Sequence, residues 1–211
     1  MILDLFPLPS VLFPGSSMPL HIFEPRYLEM IGRCVEERRP FGVILLKSGR
    51  AEGGGPVEIH KVGTTAHVIS RNERPDGTVD IHVAGERRFE VVEIVQKTPR
   101  AIAQVRTLDW DEPAEEDVGE LSGALRALFD EYLRLLLSFT GQWARSMGLP
   151  RRPASLAEYV SAGLQAPELT KQGLLETSNV RDLMGAQIEF LRAEVPRLKE
   201  AVGRLGASRS N

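Results

Sequence analysis

The chain has 211 residues, of which 42% are hydrophobic, and a formal net charge of -3. This length allows one large domain or two small ones with a packed core, and the weak negative charge provides no broad attraction to nucleic acid. Residues 1–7 lack a basic stretch, and no apolar run approaches the ~20 residues that span a bilayer, so neither a signal peptide nor a membrane partner is expected. The single cysteine, Cys34, excludes an intrachain disulfide and is typical of a cytoplasmic protein.

The first elements surround a proline-punctuated run. Leu12-Phe13-Pro14-Gly15 predicts a turn between short, edge-like strand pieces, because proline is confined to the edges, starts and turns of sheets. Glu24-Pro25 predicts the start of a helix over 25–38, since proline at the first helical position loses only a donor that would have no partner. Cys34 falls inside this helix near Met30, and we expect it to be a buried small hydrophobe.

Strand periodicity dominates residues 1–108. Residues 78–84 alternate polar and apolar side chains after the turn sequence Pro75-Asp76-Gly77, which predicts a hairpin with 62–71. Gly53-Gly54-Gly55-Pro56 predicts a loop. Further strands are predicted at 41–47, 89–95 and 101–108. Such short strands, interrupted by one helix, favour a small closed or half-open β-barrel over a doubly wound sheet.

Residues 109–117 are acidic and predict a linker, after which the period becomes helical. Ser155 and Glu158 have the form of a capping box, which predicts a helix from about Leu156, and a further helix is predicted over 168–177. One apolar stripe at steps of three and four predicts a long amphipathic helix over 117–146. The stripe consists of Leu121, Leu125, Leu128, Tyr132, Leu135 and Phe139.

A strict four-three spacing of apolar residues predicts the last helix over 184–205. Pro196 lies inside it and is expected to kink or split the helix. Packing against the long helix is favoured over packing against a second copy, because Pro196 and Gly203 weaken a free coiled coil. We therefore expect a monomer or weak homodimer, with a helical lobe over 118–206 and a disordered tail over 207–211.

The run from Leu12 to Tyr27 and four later motifs, in order, resemble the Lon protease amino-terminal domain family. The later motifs are Val62-Gly63-Thr64, Pro75-Asp76-Gly77-Thr78, Gly85-Glu86-Arg87-Arg88-Phe89 at a second hairpin turn, and Lys171-Gln172-Gly173-Leu174-Leu175-Glu176. The resemblance implies an α+β protein, in which a PUA-like small β-barrel lobe with one inserted helix precedes an all-helical lobe. The resemblance also implies that this region recognises substrate in full-length Lon proteases, where it precedes an ATPase module and a serine-lysine peptidase module.

No catalytic machinery is expected. The chain has no Gly-x-x-x-x-Gly-Lys-Ser/Thr loop and no Gly-x-Ser-x-Gly elbow, and the 35 residues after Glu176 are too few for an ATPase domain. A free-standing, non-enzymatic relative of the Lon domain is therefore predicted, without a cofactor. Any protease label would come from the family name.

Binding of unfolded polypeptide or of a partner protein, as an adaptor, is the favoured function. An extended segment could join a strand edge, or its apolar side chains could enter a groove. Candidate binding residues are the apolar residues of the opening run, several of which must be core: Phe13, Met18, Ile22, Phe23 and Tyr27.

Two other functions stay open. RNA binding, suggested by the PUA-like resemblance, would use Arg87 and Arg88 on phosphate and Phe89 on a base. The favoured interpretation of this motif is structural, with Phe89 pointing inward and the arginines exposed at a turn. A small-molecule sensor with a pocket between the lobes is the other possibility. No metal site is predicted, although His67 and His82 would face each other if Asn72 paired with Gly77.

Overall fold

The computed structural model describes residues 1–49, 57–110, 113–140 and 148–209. The strands are β1 (Ile2–Leu8), β2 (Ser17–Ile22), β3 (Phe41–Ser48), β4 (Glu58–Glu73), β5 (Val79–Gln96) and β6 (Ile102–Leu108). The helices are α1 (Pro25–Glu36), α2 (Glu115–Thr140), α3 (Pro153–Gly163), α4 (Glu168–Glu176) and α5 (Val180–Arg209). The predicted loop at 53–56, residues 111–112 of the predicted linker and residues 141–146 of the predicted long helix lie outside the described residues.

The chain divides into two compact units. A β unit comprises Met1–Asp109 and Leu164–Glu176, and a helical unit comprises Trp110–Gly163 and Thr177–Asn211. Helix α4 therefore belongs with the strands, whereas the sequence places it in a helical lobe over 118–206. The physical reason is a set of polar contacts between α4 and the barrel, described below.

The six strands form one mixed sheet in the order β2-β5-β4-β3-β1-β6, and β5 also pairs with β6. This second pairing closes five strands into a barrel and leaves β2 attached to β5 alone. Strand β1 runs parallel to β3, and the other pairs are antiparallel. The length of β5 makes closure possible, because residues 79–84 pair with β2 while residues 88–96 pair with β6. The predicted α+β class is confirmed, and of the two predicted barrel types, closed and half-open, the closed one is present.

The β4–β5 hairpin turns where the sequence predicts. Gly77 has φ +83°, a conformation that glycine adopts without steric cost, and Arg74 N donates to the carbonyl of Thr78 at 2.9 Å. The register that would bring His67 opposite His82 does not occur, because Asn72 pairs with Asp80 and not with Gly77. The second predicted turn, at 85–89, is also wrong, since β5 continues through it as one strand.

Helix α1 begins at Pro25, as predicted, and covers one side of the β unit. Its buried residues are Tyr27, Met30, Ile31 and Cys34. They pack with Phe6, Phe41 and Val83 in one apolar cluster, and a second cluster gathers Leu5, Ile44 and Phe89. Burial of each such side chain is worth about 1.5–3 kcal/mol, which makes these clusters the main source of stability of the β unit.

In the helical unit α2 packs along α5. Leu125 and Tyr132 of the predicted stripe are buried, but Phe129, fully buried, was missed. Lys199 pairs with Glu131 at 2.6 Å, so the last helix packs on the long helix within one chain. Helix α5 is not split at Pro196 and reaches into residues 207–209, where the sequence predicts a tail.

Helix α3 begins at Pro153, a favoured residue for the first turn, so Ser155 lies inside the helix and is not its cap. The buried amide of Gln187 joins α5 to this helix by donating to the carbonyl of Ala157 at 2.6 Å and to the hydroxyl of Ser161 at 2.7 Å. None of the helices in the described part of the chain is long and apolar enough to cross a membrane.

Candidate functional site

The structure distributes the five candidate binding residues unequally between core and surface. Phe13, Ile22 and Tyr27 are buried, with at most 4% of their surface exposed. Tyr27 packs its ring 4.4 Å from that of Phe6, and the Arg26 guanidinium lies 4.5 Å above it. Met18 is half-buried, and Phe23 is 48% exposed. Phe23 is therefore the one aromatic of this set that a partner can reach.

Strand β2 carries Met18 and leads to Phe23, and its backbone geometry is set by a bulge. Gly15, with φ +71°, donates to the carbonyl of Gly85 at 2.9 Å, while Gly85 N donates to the carbonyl of Ser16 at 2.9 Å. This is the arrangement of a bulge whose first residue is a left-handed glycine. It fixes the register of β2 on β5.

Hydrogen bonding alternates along an antiparallel pair, so the register decides which backbone groups of β2 point outward. Met18, Leu20 and Ile22 direct theirs to β5. Ser17, Pro19 and His21 direct theirs away from β5, and we call these groups the outer edge of β2. The outer edge offers three carbonyls but only two amides, because Pro19 has no N–H.

The side chains of β2 complete this surface. Met18 and Leu20 are half-buried against the core, which leaves part of an apolar row accessible beside the outer edge. On the opposite face His21 lies 2.8 Å from a carboxylate oxygen of Asp80 and stacks against Phe23, with ring centroids 6.0 Å apart. The hydrogen bonds from His21 and from Arg74 hold the pKa of Asp80 below its ordinary value.

Several residues of the sequence motifs lie in the interior of the β unit. The ring of Phe89 fills a space left by two glycines, since a Cβ at Gly42 or at Gly63 would lie less than 3 Å from that ring. Gly85 lies against the carbonyl of Phe13, and the Thr64 hydroxyl donates to the carbonyl of Leu12 at 2.6 Å. These residues of the motifs therefore hold the barrel together.

Helix α4 is held on the barrel by polar contacts at both ends and in the middle. The Glu168 carboxylate accepts a hydrogen bond from Val11 N at 2.7 Å, and the Gln172 amide donates to the carbonyl of Val62 at 2.9 Å. Arg88 donates to the carbonyl of Leu175 at 3.0 Å, in the last turn of the helix. Sequence reasoning missed these roles, although the motifs that supply Gln172 and Arg88 were recognised.

The nucleic-acid alternative loses two of its three proposed contact residues, Arg88 and Phe89, to burial. Arg87 is exposed, but Arg88 is only 3% exposed and is bonded within the β unit, so its guanidinium cannot hold phosphate without unfolding. Their expected exposure at a turn is wrong for Arg88, because the chain continues there as strand. Phe89 is fully buried, as the structural interpretation predicts.

His82 and His67 each contact one polar neighbour in the sheet. His82 contacts the hydroxyl of Ser70, and His67 lies 3.6 Å from a carboxylate oxygen of Glu86. Within the described ranges no group of three histidine, cysteine or acidic residues could hold an ion. Cys34 is buried in α1, and this burial raises the pKa of its thiol.

Comparison with known proteins agrees with this architecture. The chain is similar to the Lon protease of Methylocella silvestris, with 28% identity over 196 residues, which are 92% of this chain and 24% of that protein. It is 29% identical over 199 residues to the Lon protease of Phenylobacterium zucineum, covering 93% of this chain and 25% of that protein. The chain thus spans about a quarter of the length of these relatives.

Solved structures show the same fold. The crystal structure of a Lon N-terminal domain protein from Xanthomonas campestris has a TM-score of 0.64 and 25% identity, covering 92% of this chain and 98% of that one. The N-terminal domain of a Mycobacterium avium complex Lon protease has a TM-score of 0.67 at 15% identity, covering 91% and 98%. A family model described as the ATP-dependent protease La (LON) substrate-binding domain matches residues 2–193. Because this match spans nearly the whole chain, the protein belongs to the Lon substrate-binding domain family.

Proposed function

We propose that this protein is a non-catalytic module that binds extended polypeptide along the outer edge of β2. The observation that carries the proposal is that β2 is the terminal strand of the sheet, paired with β5 alone, beside an accessible apolar row and an exposed phenylalanine. An extended segment can add to such an edge through backbone hydrogen bonds, and its alternate side chains can then meet the row. Family membership supports a role in substrate recognition.

The chemistry of the edge limits which segments fit. Met18 and Leu20 lie two residues apart and favour apolar side chains at alternate positions of the incoming strand. Pro19 leaves one carbonyl of that strand without a donor, which weakens continuous pairing and favours a short segment. Unfolded polypeptide exposes such segments, whereas folded proteins bury them. We propose that the protein meets them in the cytoplasm, as an adaptor.

Titration of a labelled, unfolded apolar peptide tests the proposal. Saturable binding is expected at micromolar to high micromolar peptide, and Phe23→Ala should weaken it about tenfold, because an exposed aromatic anchor carries a large share of such binding energy. Leu169→Ala is the matched control, since Leu169 is 71% exposed on α4, a helix that contacts β4. Absence of saturation, or equal losses in both variants, would refute binding at β2.

A further inference from the structure

A second surface lies within the helical unit. The first half of α2 and the first half of α5 leave a groove of about 530 Å³ between them. Glu120, Leu121 and Ala124 line it from α2, and Gly185, Ile188, Glu189 and Arg192 line it from α5. None of these residues belongs to the β2 surface, so the groove is independent of the function proposed above.

The groove is open because its walls carry small residues. Gly185 is exposed, and a Cβ built on it would meet nothing within 4 Å. Ala124 faces it from the other helix, while Ile188, 5% exposed, forms an apolar floor. A partner can therefore bring one apolar side chain into the space between Gly185 and Ala124 without displacing any side chain of this protein.

The rim of the groove is predominantly acidic on the α2 side. From Glu115 to Leu125 the sequence contains four acidic residues and no basic one. Glu116 lies one turn before Glu120 and is exposed. Across the groove, neither Glu189 nor Arg192 has an ion-pair partner within 4.0 Å among the described residues, and the same holds for Glu120. Lysine or arginine side chains of a partner would complement the α2 wall.

The walls favour a helical partner over an extended one. The lining residues of α5 recur at i, i+3, i+4 and i+7, so they form one continuous helix face. Helical walls have already paired their backbone groups, and an extended peptide would find no backbone partners along them. A helix brings its own paired backbone and can pack its ridges into the space between α2 and α5.

We infer that this groove receives a helix of a partner protein in which a small apolar residue is flanked by lysine or arginine. The apolar residue enters between Gly185 and Ala124, and the cationic side chains reach Glu120 and Glu189. Because those acids are exposed, they contribute mainly to the association rate and to the choice of partner.

The probe is a labelled amphipathic helical peptide of leucine, alanine and lysine, followed by fluorescence anisotropy. The expected result is saturable binding that Gly185→Gln weakens about tenfold by filling the groove. Gly203→Gln is the matched control, because Gly203 is also an open position on α5, on the same side of the helix and about 27 Å further along. Both variants should show the same helical circular dichroism.

The acidic rim is tested separately. Glu120→Gln combined with Glu189→Gln should weaken binding severalfold more than Glu36→Gln combined with Glu93→Gln, which removes the same charge from exposed positions of the β unit. The inference is overturned if the peptide does not saturate, if Gly185→Gln binds like the wild type, or if the two acid pairs have equal effects. Equal competition by the same peptide with a proline at its centre, which breaks the helix, would also overturn it.

Discussion

The guanidinium of Arg88 donates a hydrogen bond to the carbonyl of Leu175 across 87 residues of sequence, inside the β unit. The carbonyl of Leu175 is one of the last carbonyls of α4, which have no partner within the helix, and Arg88 supplies its donor. The guanidinium also places a positive charge at the negative end of the helix dipole. It explains why a helix so distant in sequence belongs to the barrel.

Arg88→Met should therefore destabilise the protein. The substitution keeps most of the apolar stem but leaves the carbonyl of Leu175 without this donor, at a cost of about 2 kcal/mol. Urea denaturation followed by circular dichroism measures the loss. Arg87→Met, at an exposed neighbour, should stay within about 0.5 kcal/mol of the wild type. Similar stability of the two variants would contradict a structural role of Arg88.

Gly63→Ala should be destabilising by about 1–3 kcal/mol. Its new Cβ would lie 2.5 Å from the carbonyl of Val43, a backbone atom that cannot rotate away, and 2.6 Å from the ring of Phe89. Gly32→Ala serves as the control in α1, where nothing lies within 4 Å, and it should stabilise the helix by about 0.5–1 kcal/mol. Thermal unfolding should show a lower melting temperature for Gly63→Ala and a higher one for Gly32→Ala. A loss of stability in both variants would be inconsistent with this packing.

How far the sequence predicts this fold is illustrated by Pro25 and Arg88. Pro25 acts through local chemistry, so the start of α1 could be predicted from the residue type alone. Arg88 acts through a carbonyl on a distant helix, and no periodicity reveals which arginine of an Arg-Arg pair is buried under that helix. The prediction that Ser155 caps α3 was wrong for a local reason. Pro153 and Ser155 are both residues typical of a helix start, and their types alone do not decide at which of them the helix begins.

The residues of the proposed binding surface could be predicted from the sequence only as a group of candidates. Five apolar residues of the opening run were candidates, but their alternation within β2 depends on the bulge at Gly15, whose partner Gly85 lies on another strand. Burial of Ile22 and exposure of Phe23 follow from that register. Tertiary contacts therefore decided which residues remain accessible.

Cys34 should resist thiol reagents in the native state. It is 3% exposed, and burial raises the pKa of its thiol, so both access and thiolate content are low at neutral pH. We expect slow reaction with an aromatic disulfide reagent in buffer and complete reaction in urea. Rapid modification of the native protein, without loss of its circular dichroism, would place Cys34 at the surface and contradict its packing in α1.

His21→Ala should raise the pKa of Asp80 toward its ordinary value. The hydrogen bond from His21 is the largest cause of the lowered pKa of Asp80, followed by the hydrogen bond from Arg74. A lowered pKa in the folded state means that Asp80 supports stability above its ordinary pKa and loses that support as the pH falls through the folded value. An NMR titration of the Asp80 carboxyl carbon measures this pKa in the wild type and in the variant. An unchanged pKa in the variant would show that the hydrogen bond between His21 and Asp80 does not form in solution.

The most direct test of polypeptide binding at the outer edge of β2 is amide hydrogen exchange read residue by residue. The amides of Met18 and Leu20 already donate to β5 and should exchange slowly with or without peptide. The amides of Ser17 and His21 should exchange quickly in the free protein and become protected when a saturating apolar peptide is bound. Saturable binding that leaves the exchange of Ser17 and His21 unchanged would contradict strand addition at this edge.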